Sequence, residues 1–106
     1  MEQTLNRLEA TIRERRGGDP ETSYVAKLTA RGRAKIAQKV GEEGVETVIA
    51  ARADDAKAVT SEAADLIFHL AVLLADMGLS FADVAAELDR RDGVSGLAEK
   101  AARKED

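Results

Sequence analysis

The sequence predicts an all-α fold, and three observations carry that prediction. Alanine and leucine dominate the apolar set, and only Tyr24, Phe68 and Phe81 are aromatic, a composition that favours helices. Apolar residues recur at spacings of three and four over long stretches, with no alternating strand pattern. The one proline, Pro20, lies outside those stretches, as it must if they are helices.

The elements follow in order. Leu5, Leu8 and Ile12 make residues 1 to 16 an amphipathic helix. GGDPETS, residues 17 to 23, is turn chemistry and ends it. SYVAKLTARG, residues 23 to 32, starts on a serine cap and stops at Gly32. Residues 33 to 52 form the next helix, and ADDAK, residues 53 to 57, breaks it and supplies an aspartate cap. A helix then runs to about Met77, with Gly78 as its terminator. Ser80, with Asp83 three residues later, forms a capping box for a helix through Arg91. GVSG, residues 93 to 96, is a loop, and residues 97 to 106 form a short terminal helix.

The 106 residues suit a single domain, 1-106. Hydrophobic residues at 44% and charged residues at 34% describe a globular chain. The net charge of −4 argues against a broad nucleic-acid surface, which is built from basic patches. Without cysteine there is no disulfide, thiolate nucleophile or Cys-based zinc site. No uninterrupted run of about 18 apolar residues is present, so no membrane span is expected. MEQTLNRLEA is too polar for a signal peptide, and a cytoplasmic location is the expectation.

One stretch speaks to assembly. LIFHLAVLLA, Leu66 to Ala75, covers nearly the whole circumference of a helix at about 100° per residue. A helix apolar all round is buried all round, and a chain this small has few helices to bury it. A homodimer that completes the bundle is expected; the alternative is that the short helices wrap it within one chain.

The chemistry lies in two acidic strips. On a wheel starting at Lys35, residues Glu42, Glu46, Lys39 and Glu43 fall at roughly −20°, 20°, 40° and 80°. Ile36 and Val40 flank this stripe on one side, Ile49 and Val45 on the other. Like charges at i,i+3 and i,i+4 repel by a few tenths of a kcal/mol per pair, so something else must stabilise them. On the following helix Glu62, Asp65 and His69 lie within about 60° of one another. Facing each other, the two strips would gather up to five carboxylates, a donor set for a hard cation such as Mg²⁺, with Mn²⁺ as a substitute. Lys35 and Lys39 stand where they could meet phosphate oxygens or simply pair with Glu42 and Glu43. A glutamate stripe alone is commonly a solvated face; two strips on consecutive helices in apolar surroundings are not. Lone His69 reads as a packed or hydrogen-bonded core residue rather than a ligand, and Asp76 as a solvated one. No phosphate-binding glycine loop, dinucleotide fingerprint, serine–histidine context or Glu-x-x-His di-iron motif is present.

E-E-x-x-E followed on the next helix by E-x-x-D resembles the magnesium-dependent all-α nucleoside triphosphate pyrophosphohydrolases, the MazG-like superfamily. More narrowly, SYVAKL, KIAQKVGEEGVETVIAA, EAADLIFHLAVLLADMGL and GVSGLAEKAARK resemble the phosphoribosyl-ATP pyrophosphohydrolase family of histidine biosynthesis. The resemblance runs from about Leu5 to Lys104 and implies a bundle of the all-α NTP pyrophosphohydrolase type. It implies cleavage of the α–β phosphoanhydride of phosphoribosyl-ATP, the pathway's second step, to phosphoribosyl-AMP and pyrophosphate. Carried onto this chain, it makes Glu42, Glu43, Glu46, Glu62 and Asp65 metal ligands for Mg²⁺, with Glu42, Glu43 and Glu46 at the catalytic centre. Ser23, Tyr24, Lys27, Lys35 and Lys39 become substrate-binding. Gly44 stands where the family pattern would have alanine. Without cysteines the chain lacks the zinc-dependent cyclohydrolase partner found fused in some relatives, so a single activity is expected. Two alternatives remain at this stage: a hydrolase of other, noncanonical nucleoside triphosphates, and a helical oligomerisation module without enzymatic activity.

Overall fold

A computed structural model describes residues 1–93. Most of the expected GVSG loop and the terminal helix lie outside the described residues. Five helices follow in order: α1 Glu2–Arg15, α2 Tyr24–Arg31, α3 Arg33–Arg52, α4 Ala56–Asp76 and α5 Phe81–Arg91. No strand occurs among the described residues. The all-α expectation holds.

The boundaries are set by local chemistry. The Ser23 hydroxyl accepts from the Ala26 N–H at 3.1 Å and starts α2. Gly32 turns the chain between α2 and α3 at φ +97°, a conformation that side chains with a Cβ rarely adopt. The Asp55 carboxylate accepts from the Ala58 N–H at 3.0 Å and starts α4 two residues earlier than expected. Gly78 at φ +72° ends the turn after α4. The Ser80 N–H donates to Asp83 at 2.9 Å, the expected capping box. Buried Glu9 of α1 adds a second acceptor there, taking the Phe81 N–H at 2.8 Å; an anion at a helix N-terminus is stabilising.

The core is built from Ile12, Val25, Leu28, Ile36, Ala71 and Val72, with Leu8, Phe68 and Phe81 packed against it. It joins α1, α2, α3 and α4; α3 and α4 form the most extensive helix pair. Burial of α4 is incomplete. His69, Ala71, Val72 and Leu74 are buried, whereas Leu66, Ile67, Leu70 and Leu73 are only partly covered. By length and hydropathy alone α4 could cross a membrane, contrary to the reading of the sequence as free of such a stretch. Its packing on α3 and α1 and its acidic strip are those of a core helix instead.

The reading of Asp76 is revised. Asp76 is not a solvated residue: its side chain is 14% exposed and takes hydrogen bonds from Arg33 Nε at 2.9 Å and Arg16 at 3.3 Å. Arg33 also donates to the Asp76 carbonyl at 2.9 Å. The sequence separation of these partners hid the network, which ties the ends of α1, α3 and α4 together. The Arg33 hydrogen bond, followed by that of Arg16, holds the Asp76 carboxyl below its ordinary value. Its contribution to stability is therefore present near neutral pH and lost as pH falls through the depressed pKa. Asp76→Asn should cost roughly 1–2 kcal/mol in chemical denaturation at neutral pH; an unchanged midpoint would contradict the network's role. At Gly44, where the family pattern would have alanine, a Cβ would meet nothing within 4 Å. Nothing in the structure explains glycine there.

Candidate active site

The core side of α3 is set by Ile36 and Ala50, and Glu43 lies between them on the same face. Glu43 is 7% exposed. Across the α3–α4 interface stand Glu62 and Asp65, one turn apart on α4. Glu43, Glu62 and Asp65 each offer an oxygen, and these lie within 4.8 Å of one another. Glu46 joins them from the next turn of α3, close enough to act on both Glu43 and Glu62. Four of the five expected acids are thus brought together.

Glu42 is set apart from this group. It is exposed, accepts from Gln38 at 2.8 Å and pairs with Lys39 at 3.3 Å. The helical wheel gives the reason: Glu42 lies about 100° from Glu43, and α4 packs on the Glu43 side. Lys39 bridges the two, reaching Glu43 at 3.9 Å. Lys35 influences Glu42 from the preceding turns, and Lys27 is exposed on α2.

The electrostatics are strained. Burial, then the neighbouring carboxylates of Glu46 and Asp65, push Glu43 up to about 7, with Lys39 only partly opposing. Burial and Glu46 likewise raise Glu62. Glu43 Oε2 and Glu62 Oε2 are buried with no hydrogen-bond partner. An unpartnered buried carboxylate oxygen costs several kcal/mol. A hard divalent cation removes that cost for all the acids at once, and an all-carboxylate donor set suits Mg²⁺ or Mn²⁺. The residues fit such an ion.

One feature beside the acids was not legible in sequence. His69 is buried, as expected of a core histidine, but its ring is fully engaged. Nδ1 lies 2.8 Å from the Asp65 carbonyl, and Nε2 lies 2.8 Å from the Tyr24 hydroxyl. A carbonyl only accepts, so Nδ1 carries the proton; in the neutral ring Nε2 then accepts from Tyr24. Tyr24 stacks on Phe68 with ring centroids 6.0 Å apart. Tyr24 and His69 are 45 residues apart, and no local pattern links them. Ser23, by contrast, has a structural duty as the α2 cap.

The family model for phosphoribosyl-ATP pyrophosphohydrolase matches residues 5–92. A relative from Rhizorhabdus wittichii, named phosphoribosyl-ATP pyrophosphatase, is 69% identical over 103 residues, covering 97% of each chain. One of the same name from Novosphingobium aromaticivorans is 70% identical, over 93% of this chain and 92% of its own. Another, from Azospirillum brasilense, is 62% identical over 94% of this chain and 90% of its own. The family match takes in most of α1, all of α2 to α5 and every residue of the acidic cluster, and the chain belongs to the phosphoribosyl-ATP pyrophosphohydrolase family.

Proposed function

We propose that this chain hydrolyses phosphoribosyl-ATP to phosphoribosyl-AMP and pyrophosphate in a Mg²⁺-dependent reaction, the second step of histidine biosynthesis, in the cytoplasm. The observation that carries this reading is the pair of buried, unpartnered carboxylate oxygens on Glu43 and Glu62, set among Asp65 and Glu46. Relatives named for this activity, matched over more than nine-tenths of both chains, support the choice of substrate.

In this reading Glu43, Glu62 and Asp65 hold the cation, Glu46 completes its carboxylate surround, and Glu42 serves from the exposed rim. When bound, Mg²⁺ neutralises phosphate charge and polarises water; Mn²⁺ would do the same. One of Glu42, Glu43 and Glu46 accepts the proton of the attacking water. Lys35 and Lys39 act as point charges toward phosphate oxygens, and Ser23, Tyr24 and Lys27 border the substrate from α2. The chain's contribution is mainly positioning and charge stabilisation. Attack at the α- or the β-phosphorus gives the same products, and ¹⁸O-labelled water separates them.

Substrate identity is tested by pyrophosphate release from phosphoribosyl-ATP against a panel of ordinary and noncanonical nucleoside triphosphates. A preference for phosphoribosyl-ATP of at least two orders of magnitude in kcat/KM is expected. Turnover of the other nucleotides alone would keep the superfamily chemistry and discard the pathway assignment.

The working unit in this reading is a homodimer. Val45 and Ile49 are 60% and 62% exposed and share a face of α3 with Glu42. On α5, Leu88 is 60% and Val84 37% exposed, and α5 contains no buried residue. Together with the half-covered flank of α4, these faces call for a second copy. Light scattering at micromolar concentration should give twice the chain mass; a monomeric mass would contradict the assembly.

A further inference from the structure

We propose that Tyr24 and Phe68 form the shelf on which the purine base of the substrate stacks, with His69 as the positioning residue that holds the tyrosine ring in place. This rests on the polyphosphate reading of the acidic cluster and adds the opposite end of the ligand to it.

Two of the chain's three aromatic rings meet here. Phe68 covers Tyr24 in a nearly parallel stack, with 19° between the ring planes. Tyr24 is nevertheless 47% exposed. A large apolar ring left half in water, yet fixed at its hydroxyl, is not explained by core packing. The hydroxyl hydrogen bond to buried His69 and the edge contacts of both rings with His69 fix its orientation. A ring held this way loses little freedom when a ligand stacks on it.

The shelf borders a cavity of about 680 Å³, lined by Tyr24 and Phe68 with Leu8, Thr11 and Thr22 among its walls. That volume suits a nucleotide-sized ligand, since small-molecule sites run from about 300 to 1,000 Å³. The rings and the Thr11 and Thr22 hydroxyls suit a base and its sugar, and Glu14, Arg15 and Asp19 add charged groups to the wall. The shelf is also coupled to the acids. His69 joins the Tyr24 hydroxyl to the main chain of Asp65, a member of the acidic cluster. Base and phosphates of one nucleotide would be served by adjoining parts of one site.

The chain has one tyrosine and no tryptophan, so its tyrosine emission reports on Tyr24 alone. The probes are α,β-methylene-ATP, which resists cleavage at the bond in question, and inorganic tripolyphosphate, which has no base; both are used with Mg²⁺. Saturating α,β-methylene-ATP should quench the emission, and tripolyphosphate should not. By calorimetry, Tyr24→Leu should weaken α,β-methylene-ATP about five- to hundredfold, the range for loss of one base–aromatic stack, and leave tripolyphosphate affinity unchanged. Tyr24→Phe keeps the ring without its anchor and should cost only a few-fold. His69→Gln should cost the same, and the double variant no more than either. Melting temperatures separate these effects from loss of folding. If Tyr24→Leu binds α,β-methylene-ATP as tightly as the parent, the shelf is wrong while the polyphosphate site stands. Additive losses in the double variant would overturn the role of His69. Failure of the parent to bind either probe would overturn the polyphosphate reading and the shelf with it.

Discussion

Glu43→Gln should raise the melting temperature of the metal-free protein and, in the same molecule, reduce turnover of phosphoribosyl-ATP by about 10³-fold. The two effects have one cause. Glu43 is a buried carboxylate with an unpartnered oxygen, crowded by Glu46 and Asp65. At neutral and higher pH the fold must tolerate its charge with only partial compensation from Lys39. Glutamine has almost the same shape and no charge, so the fold relaxes. It is also a far weaker ligand for a hard cation, so the chemistry is lost. A residue that merely supported the fold would lose stability and activity together. Opposite signs are the mark of a site under functional strain. A Glu43→Gln protein that is both active and less stable than the parent would contradict the assignment.

A second large effect is expected from pH and metal together. A carboxyl whose folded pKa is about 7, against an ordinary value of 4.5, favours the fold while protonated. Its contribution is complete below the ordinary value and is lost as pH rises through about 7. Glu62, raised by burial, adds in the same direction. In EDTA, the melting temperature should therefore fall between pH 5 and about pH 8. Mg²⁺ binds the ionised acids, so its stabilisation should grow over the same interval. At a hundredfold excess over Kd the gain is about 2.7 kcal/mol, or roughly 10–20 °C for a domain of this size. A Mg²⁺-induced shift that is absent at pH 8, or equal at pH 5 and pH 8, would contradict the coupling.

The helices were readable because their ends carry their own chemistry. Ser23, Asp55 and the Ser80–Asp83 box mark starts, and Gly32 and Gly78 mark stops, without any knowledge of the fold. The acids Glu43, Glu46, Glu62 and Asp65 were readable because their spacing put them on two helix faces flanked by apolar residues. Which acids would meet was not. The stripe on α3 spans about 100° from Glu42 to Glu43, and only the docking of α4 decides which edge becomes interior. Ile36 and Val45, on either side of that stripe, look equivalent in sequence, yet Ile36 is 0% and Val45 60% exposed. Links between distant segments were hidden altogether. Arg16 and Arg33 on Asp76, Glu9 at the start of α5 and Tyr24 on His69 are partners fixed by packing. Asp76 was misread for that reason. The apolar circumference of α4 suggested a partner; within the single chain every residue from Leu66 to Ala75 is buried or partly covered.

The most direct test of the central claim, that Glu43, Glu46, Glu62 and Asp65 form a divalent-cation site, is calorimetric titration of the metal-free protein with Mn²⁺. The titration is run near pH 7 in buffers of different ionisation enthalpy. Because Glu43 titrates at about 7, binding should release a fraction of a proton per site. That release should shrink at pH 8.5 and in Glu43→Gln, and Asp65→Asn should weaken the binding itself. Absence of binding at millimolar Mn²⁺, or binding that is indifferent to both substitutions, would mean that the buried acids serve no cation and that the catalytic reading built on them is wrong.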